Sequence, residues 1–283
     1  MNGKLYLCAT PIGNLEDITL RVLKTLENVD LIAAEDTRNS IKLLNHFNIK
    51  TPMTSYHEHN KIEKANYLVN KLASGNDIAL ITDAGTPAIS DPGEVLVKAC
   101  YDAGISVTSL PGACACITAL TLSGLSTKRF TFEAFLPKEK KLRNEILKSL
   151  TNESRTIIIY ESPHHLPKTL EELYQVLGDR QITICRELTK KFETVFPTTF
   201  SASIKYYKEN SPKGEYIIVI EGKDPAEIAL ENQKQWETYT LIEHMAFYEK
   251  QGYTNKESMK KVAKDRRLSK RDVYQSLLEQ KEL

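Results

Sequence analysis

Apolar positions along the chain follow two periods, and the switch between them sets out the architecture. In the first ~125 residues, short β-rich runs at 5–9, 30–34, 77–82 and 106–110, with a weaker one at 53–56, alternate with amphipathic stretches. That alternation predicts a parallel sheet with crossover helices. One of those helices is expected to open at Asp91-Pro92-Gly93-Glu94, with Asp91 as its cap, Pro92 first in the helix, and Gly104 where it stops. Beyond about Thr127 the texture changes. Strands are predicted at 130–135, 156–161, 182–186, 192–198 and 216–220, several of them hairpin-like. Helices fit at 140–150, 163–177 and 201–209, the middle one ended by Gly178. This reads as a second, mixed α/β domain, joined through Gly124 with no long linker, so the two halves should pack closely.

After Gly222 the strand pattern ends. Helices are predicted at 225–250, 255–264 and 270–280, and Thr254 with Glu257 and Ser269 with Asp272 have capping-box spacing. Met259, Val262 and Ala263 share one face of the first short helix, and Val273, Tyr274, Leu277 and Leu278 one face of the second. Two such helices joined by a tight turn make a helix-turn-helix-like hairpin. The expected domains are thus 1–125, 126–222 and 223–283.

Composition narrows the function classes. With 38 basic and 37 acidic residues the chain is near neutral, so nucleic-acid contact requires local clustering. Such a cluster lies between Lys256 and Arg271, with eight lysines and arginines against two acids. Lys260, Lys264, Arg266, Arg267, Lys270 and Arg271 are its candidate phosphate contacts, although a solvated surface face gives the same pattern. No run approaches the ~18 apolar residues of a membrane helix. The first residues read as a strand, not a signal peptide. Five cysteines without paired spacing fit buried thiols in a reducing compartment, so cytoplasm is expected, and no metal site is predicted.

Three loops follow predicted strands at the edge where parallel sheets bind ligands. Thr10-Pro11-Ile12-Gly13-Asn14 has one glycine and a proline, which disfavours a dinucleotide-binding turn. The run from Thr82 to Gly93, TDAGTPAISDPG, offers a preshaped backbone surface with carboxylates. Pro111-Gly112-Ala113 enters a helix of very small residues, which suits a ligand or close helix–sheet packing.

TPIGNLEDITLR, LIAAEDTR, SYHEHN, ITDAGTPAISDPGE, LPGACA, YESPHH and RELTKKFE occur in this order. In these motifs, from roughly Lys4 to Gly222, the chain resembles the ribosomal RNA small subunit methyltransferase I family of the tetrapyrrole methylase superfamily. The resemblance implies a two-domain tetrapyrrole-methylase-like α/β fold, with a parallel-sheet N-terminal domain, a mixed-sheet second domain and a small C-terminal helical hairpin. It implies S-adenosylmethionine in the cleft between domains, a homodimer, and 2′-O-methylation of a cytidine ribose in small-subunit ribosomal RNA or the assembled subunit. Carried over, the cofactor positions are Pro11, Ile12, Asp83, Ala84, Gly85, Pro87, Ile89, Pro111, Gly112, Ala113, Tyr160, Arg186 and Glu215.

A ribose hydroxyl is a poor nucleophile at neutral pH, so positioning and a general base are expected to share the work. Candidate bases are Asp36, His57, Glu58, Glu187 and Glu193, with Asp36 or Glu187 expected to take the proton. Asp36 fits a helix cap equally well. Arg38 could neutralise it or hold a phosphate, and Lys190, between Glu187 and Glu193, is a candidate phosphate clamp. The rivals are a tetrapyrrole C-methyltransferase, a diphthamide-type protein methyltransferase, and a non-catalytic RNA-binding ribosome-assembly factor.

Overall fold

The computed structural model describes residues 1–279. It divides into two compact units, Met1–Leu147 with Thr156–Glu221, and Lys148–Arg155 with Gly222–Leu283. The first unit holds two five-stranded sheets.

The first sheet is wholly parallel, built from β1 (Leu5–Cys8), β2 (Leu31–Ala34), β3 (Met53–Ser55), β4 (Ile78–Ile81) and β5 (Val107–Leu110) in the order β3-β2-β4-β1-β5. Strand side chains alternate between faces, so each face buries its own set. Leu5, Leu7, Ile78 and Leu80 pack with α3 (Lys61–Ala73) and α4 (Gly93–Asp102) through Leu68, Leu72 and Leu96. Cys8, Ile32, Ala34 and Ile81 pack with α1 (Leu20–Asn28) and α2 (Thr37–His46) through Val22, Leu26 and Leu44. The neighbouring strands β1 and β4 therefore lead to helices on opposite faces. That arrangement opens a crevice at their carboxyl ends.

The second sheet has β6 (Phe130–Phe135), β7 (Thr156–Glu161), β10 (Tyr216–Ile220), β8 (Gln181–Arg186) and β9 (Thr194–Thr199), in that order. β6 runs parallel to β7 and the other pairings are antiparallel. One face is covered by α5 (Ala115–Leu122), whose Cys116, Ala119 and Leu120 pack on Ile158, Ile217 and Val219. The small side chains of α5 serve close packing on this sheet. α6 (Lys140–Ser149), α7 (Leu166–Leu177) and α8 (Phe200–Glu209) complete the order of helices, with α7 and α8 packed on each other.

Three sequence expectations shift. The helix expected at 163–177 begins at Leu166. Pro167 is tolerated only in a helix's first turn, since further in it lacks the donor and clashes with the carbonyl four residues back. The strand expected at 192–198 begins at Thr194, because the preceding residues complete a turn in which Glu187 and Thr189 take positive φ. Asp91, expected as the cap, lies one residue before it, and Pro92 is the cap residue. Its carboxylate accepts from the Gly93 amide at 2.7 Å and turns back to the Ala88 and Ile89 amides at 3.0 and 3.2 Å. It thereby holds a bend in which Ala88 and Ser90 both take positive φ.

In the second unit the predicted helix 225–250 is two helices, α9 (Pro225–Glu237) and α10 (Leu241–Glu249). Thr240 and Glu243 form a full capping box, which restarts the chain after Thr238. α11 (Asn255–Asp265) and α12 (Lys270–Glu279) follow, and Gln280 of the predicted last helix lies outside the described residues. Leu241, Met245, Val262, Ala263 and Val273 form the core of this unit. The α11 end is a Schellman turn, in which the Leu268 and Arg267 amides donate to the Ala263 and Lys264 carbonyls. Arg267 takes the left-handed position, with φ 53°.

Candidate active site

The three loops at the carboxyl edge of the parallel sheet are locked to one another. Thr10 and Gly85 exchange backbone hydrogen bonds of 2.9 and 3.1 Å, and the Thr10 hydroxyl donates to the Thr82 carbonyl. The Thr86 hydroxyl donates to the Ala113 carbonyl at 3.0 Å, joining the second loop to the third. The first loop also meets the β8–β9 turn. Thr189 Oγ1 accepts from the Asn14 amide at 3.1 Å, and a methyl on Gly13 would lie 2.4 Å from Lys190.

A cleft of about 350 Å³ opens between these loops and the second sheet. This lies at the small end of the ~300–1,000 Å³ range of small-molecule sites. Ile12, Ala84, Gly85, Thr86 and Ile89 wall one side, Cys114 and Ala115 at the start of α5 the base, and Tyr160, Cys185, Leu188 and Ile217 the other side. Glu161, Glu187 and Glu215 add carboxylates to this apolar slot. Glu161 is 5% exposed, with its oxygens taken by the Ser162 amide at 2.7 Å and the Thr169 hydroxyl at 2.6 Å. Arg143 in turn donates to that hydroxyl and to Glu172. Cys114 and Cys116 lie 3.5 Å apart through sulfur, and the contact holds the Cys114 thiol below its ordinary range.

Of the cofactor positions carried over from the resemblance, Ile12, Ala84, Gly85, Ile89, Tyr160 and Glu215 line this cleft. Pro11 and Asp83 instead line a neighbouring cavity across the same loops. Pro87, Pro111, Gly112, Ala113 and Arg186 are outside the lining of both. Gly112 allows close packing, since a methyl there would meet Ala9 at 2.7 Å. Arg186 Nε donates to the Lys213 carbonyl at 2.7 Å.

The charged candidates fall into separate settings. Asp36 caps α2 through the Arg38 amide, and the Arg38 guanidinium grips both its oxygens at 3.0 and 2.7 Å. That grip holds the Asp36 carboxyl down at about 2. Glu187 lines the cleft, but its Oε1 accepts from the Glu215 amide at 2.8 Å and from Lys190 at 3.0 Å. Burial pushes its carboxyl up, and these donors more than offset it, leaving the group below its ordinary value. Lys190 also reaches Glu215 at 2.8 Å, so two carboxylates hold the ammonium assigned from sequence to phosphate. Glu193 accepts from the Thr189 amide and closes the turn. His57 follows β3 beside Asn60 and lines neither cavity. In the second unit, Lys260, Lys264, Arg267, Lys270 and Arg271 are exposed. Arg266 is instead a clamp, donating to His244 Nδ1 at 3.2 Å and to the Tyr239 carbonyl.

Thr86 and Cys114 belong to the loops read from sequence but were not picked as contacts, while Glu161 and Leu188 in the cleft, and Asn39, Ser40, Lys42 and His46 in the neighbouring cavity, were passed over. Asn39, Lys42 and His46, with Leu43 beside them in the same lining, recur at the spacing of one helix face, which was an available signal. No helix among the described residues is long and apolar enough to cross a membrane.

Gly85, at φ 87°, has its missing side chain directed at Ile12 (3.3 Å) and the Ala113 carbonyl (3.6 Å). Gly85→Val should cost about 1–3 kcal/mol in backbone strain and push a branched side chain into the cleft wall. The expected outcome, read by calorimetry, is loss of small-molecule binding in the cleft, with the fold retained by circular dichroism.

A parallel sheet and a mixed sheet enclosing a loop-walled cleft place the chain among the methylases of tetrapyrrole-methylase fold. The family profile described as Tetrapyrrole (Corrin/Porphyrin) Methylases matches residues 4–203. Two solved structures share the fold at low identity. These are uroporphyrin-III-C-methyltransferase from Thermus thermophilus (TM-score 0.55, 18% identity, covering 77% of this chain and 94% of that one) and a diphthine synthase (TM-score 0.61, 14% identity, 78% and 90%). Much nearer in sequence are proteins named ribosomal RNA small subunit methyltransferase I. The one from Halalkalibacterium halodurans is 46% identical, covering 96% of this chain and 93% of its own length. Those from Synechocystis sp. and Bacillus subtilis are each 47% identical, covering 98% and 98%, and 96% and 93%. The chain belongs to the ribosomal RNA small subunit methyltransferase I family.

Proposed function

We propose that the protein transfers the methyl group of S-adenosylmethionine to the 2′-hydroxyl of a cytidine ribose in small-subunit ribosomal RNA, acting in the cytoplasm as a homodimer. The names of relatives with near-full-length coverage support the RNA acceptor. The observation that carries the reading is the cleft, an apolar slot edged by Glu161, Glu187 and Glu215. Its residues fit the cofactor. Ile12, Ile89 and Leu188 offer apolar surface for a purine, and carboxylates suit ribose hydroxyls and a cationic tail. Gly85 adds no side chain to the wall. When bound, the cofactor supplies an electrophilic methyl group on a positively charged sulfur.

The chain's own work is to align the acceptor and take its proton. Alignment can supply as much as ~7–11 kcal/mol, and a general base about 10²–10⁴-fold. A base works best with a pKa near the operating pH. Asp36, gripped by Arg38 and held at about 2, and Glu187, pinned by Lys190 and the Glu215 amide, are weak candidates. Asp83 is the better one. Among the described residues it accepts from the Asp36 amide and from Asn39, each at 3.2 Å. Burial pushes its carboxyl up. Its neighbours Ala84 and Gly85 line the cofactor cleft while Asp83 itself faces the adjoining cavity, so it stands at the wall between them. Asp83 is assigned the proton of the ribose hydroxyl.

The test is methyl transfer from labelled S-adenosylmethionine to small ribosomal subunits, or their RNA, from cells lacking this protein. Label on one cytidine ribose is the expected result. Cofactor binding without transfer to RNA would move the acceptor to a tetrapyrrole or a protein. Absence of cofactor binding would leave a non-catalytic RNA-binding factor.

A further inference from the structure

One rim of the cofactor cleft is formed where β6 and β7 end, and a bulge shapes it. Three steps along β6, from Phe132 to Phe135, oppose two along β7, from Ile158 to Tyr160. The extra residue bends the strand, with Ala134 at φ 52°, where residues other than glycine are uncommon. Alternation along a regular strand would send positions 132 and 135 to opposite faces of the sheet. The bulge instead brings both rings against Tyr160, with centroids 4.9 and 5.6 Å from it. Phe135 therefore lines the cleft, yet it is 58% exposed. A ring turned into a cleft and left half in water is placed for contact with a ligand.

Charge gathers at the same end. Because β6 and β7 run parallel, the chain leaves both strands at one end of the sheet. After β6 come Lys138, Lys140 and Lys141, all exposed, with Glu139 the only acid between positions 136 and 144. Among the described residues no ion pair holds any of the three lysines, whereas Arg143 nearby is engaged by Glu172 and Thr169. After β7, Ser162 and Pro163 line the cleft and the exposed His164 follows.

We infer that this rim receives the acceptor segment of the RNA, its target base laid on the Phe135 ring and its adjoining phosphates on Lys138, Lys140 and Lys141. The inference rests on the proposed methyl transfer to RNA and adds where the acceptor enters. An exposed ring offers a face to any nucleobase, and ammonium groups beside it answer phosphate oxygens. A base stacked within a helix cannot lie on that ring, so the acceptor is unpaired or extruded. Phe135 lines the same cleft as Ile12, Ala84 and Gly85. A nucleoside on the ring thus shares one space with the cofactor, with no loop between them.

The experiment uses the full-length protein and three variants: Phe135→Ala, Phe135→Trp, and Lys138→Gln combined with Lys140→Gln and Lys141→Gln. Four quantities are read: the dissociation constant of S-adenosylmethionine by calorimetry, KM for small-subunit RNA, the salt dependence of RNA binding, and oligomeric state by sedimentation. Phe135→Ala should raise KM for RNA by about tenfold, and Phe135→Trp, which keeps a stacking face, should restore it. The lysine variant should hold the cofactor as the unmodified protein does and lose about two units of log–log salt slope. An unchanged KM in Phe135→Ala, or an unchanged slope in the lysine variant, would overturn the inference and leave the methyl transfer standing. A loss confined to cofactor affinity would overturn it too. So would a changed oligomeric state in Phe135→Ala with RNA binding intact, which would give the ring to a second copy of the chain. RNA binding that these variants weaken, in a protein that transfers no methyl group to RNA, would uphold the rim and sink the proposed reaction.

Discussion

Asp83→Asn is expected to lower methyl transfer to RNA by about 10²–10⁴-fold while leaving cofactor affinity close to that of the unmodified protein. The substitution is nearly isosteric. The carbonyl oxygen of the new amide still accepts from the Asp36 amide, while its NH₂ meets the Asn39 NH₂, which must flip to present its oxygen. Only the capacity to take a proton is removed. A pH–rate profile separates this role from a structural one. In the unmodified protein the rate should fall as pH drops through the Asp83 pKa. Burial sets that pKa above the ordinary aspartate value of about 3.9. The Asp83→Asn variant should lack this acidic limb. Stability should move the other way, if at all. A carboxyl whose pKa is raised on folding is favoured in its protonated form, so its ionisation opposes folding at neutral pH, and the amide escapes that cost. Normal turnover by Asp83→Asn would remove Asp83 from the mechanism. Asp36→Ala serves as the contrast, since the Arg38 pair already holds that carboxylate.

Neutralising Lys260, Lys264, Lys270 and Arg271 together as glutamines should cut the salt dependence of RNA binding by about three in log–log slope. Each phosphate contact contributes about 0.7–0.9 to that slope. Between 50 and 200 mM salt, the unmodified protein should then lose roughly 60-fold more affinity than the variant. All four side chains are exposed on α11 and α12. Arg266 is left untouched, because its guanidinium ties α11 to His244 and the Tyr239 carbonyl and its removal would loosen the unit. Deletion of residues 257–283 would be a poor substitute, since Val262, Ala263 and Val273 are core residues of this unit. An unchanged slope, from filter binding or anisotropy with small-subunit RNA, would make the basic face a plain solvated surface.

Apolar and β-branched runs located all ten strands among the described residues, and those buried along their whole length, such as β4 and β10, read as short unbroken apolar runs whatever surrounds them. Caps and breakers carried much of the rest. Gly178 ends α7 and Thr254 opens α11 by local hydrogen bonds that a few residues specify alone. Even the two shifted helix boundaries had local causes, Pro167 and the Thr240–Glu243 box, written in the chain and outweighed in reading by longer apolar patterns.

What the sequence by itself determined is therefore the order of elements, the loops at the sheet's carboxyl edge and, through resemblance, the family. The tertiary structure decided which way each loop residue faces. Asp83 and Ala84 are neighbours in sequence but line different cavities. Lys190, read as free for phosphate, is held by Glu187 and Glu215, the latter arriving on the approach to β10, 25 residues later. Arg266, read as part of a basic run, is engaged by His244 from another helix. Charge in a sequence is a local property. Whether that charge is available depends on carboxylates and carbonyls brought from far along the chain, and only the packed fold places them.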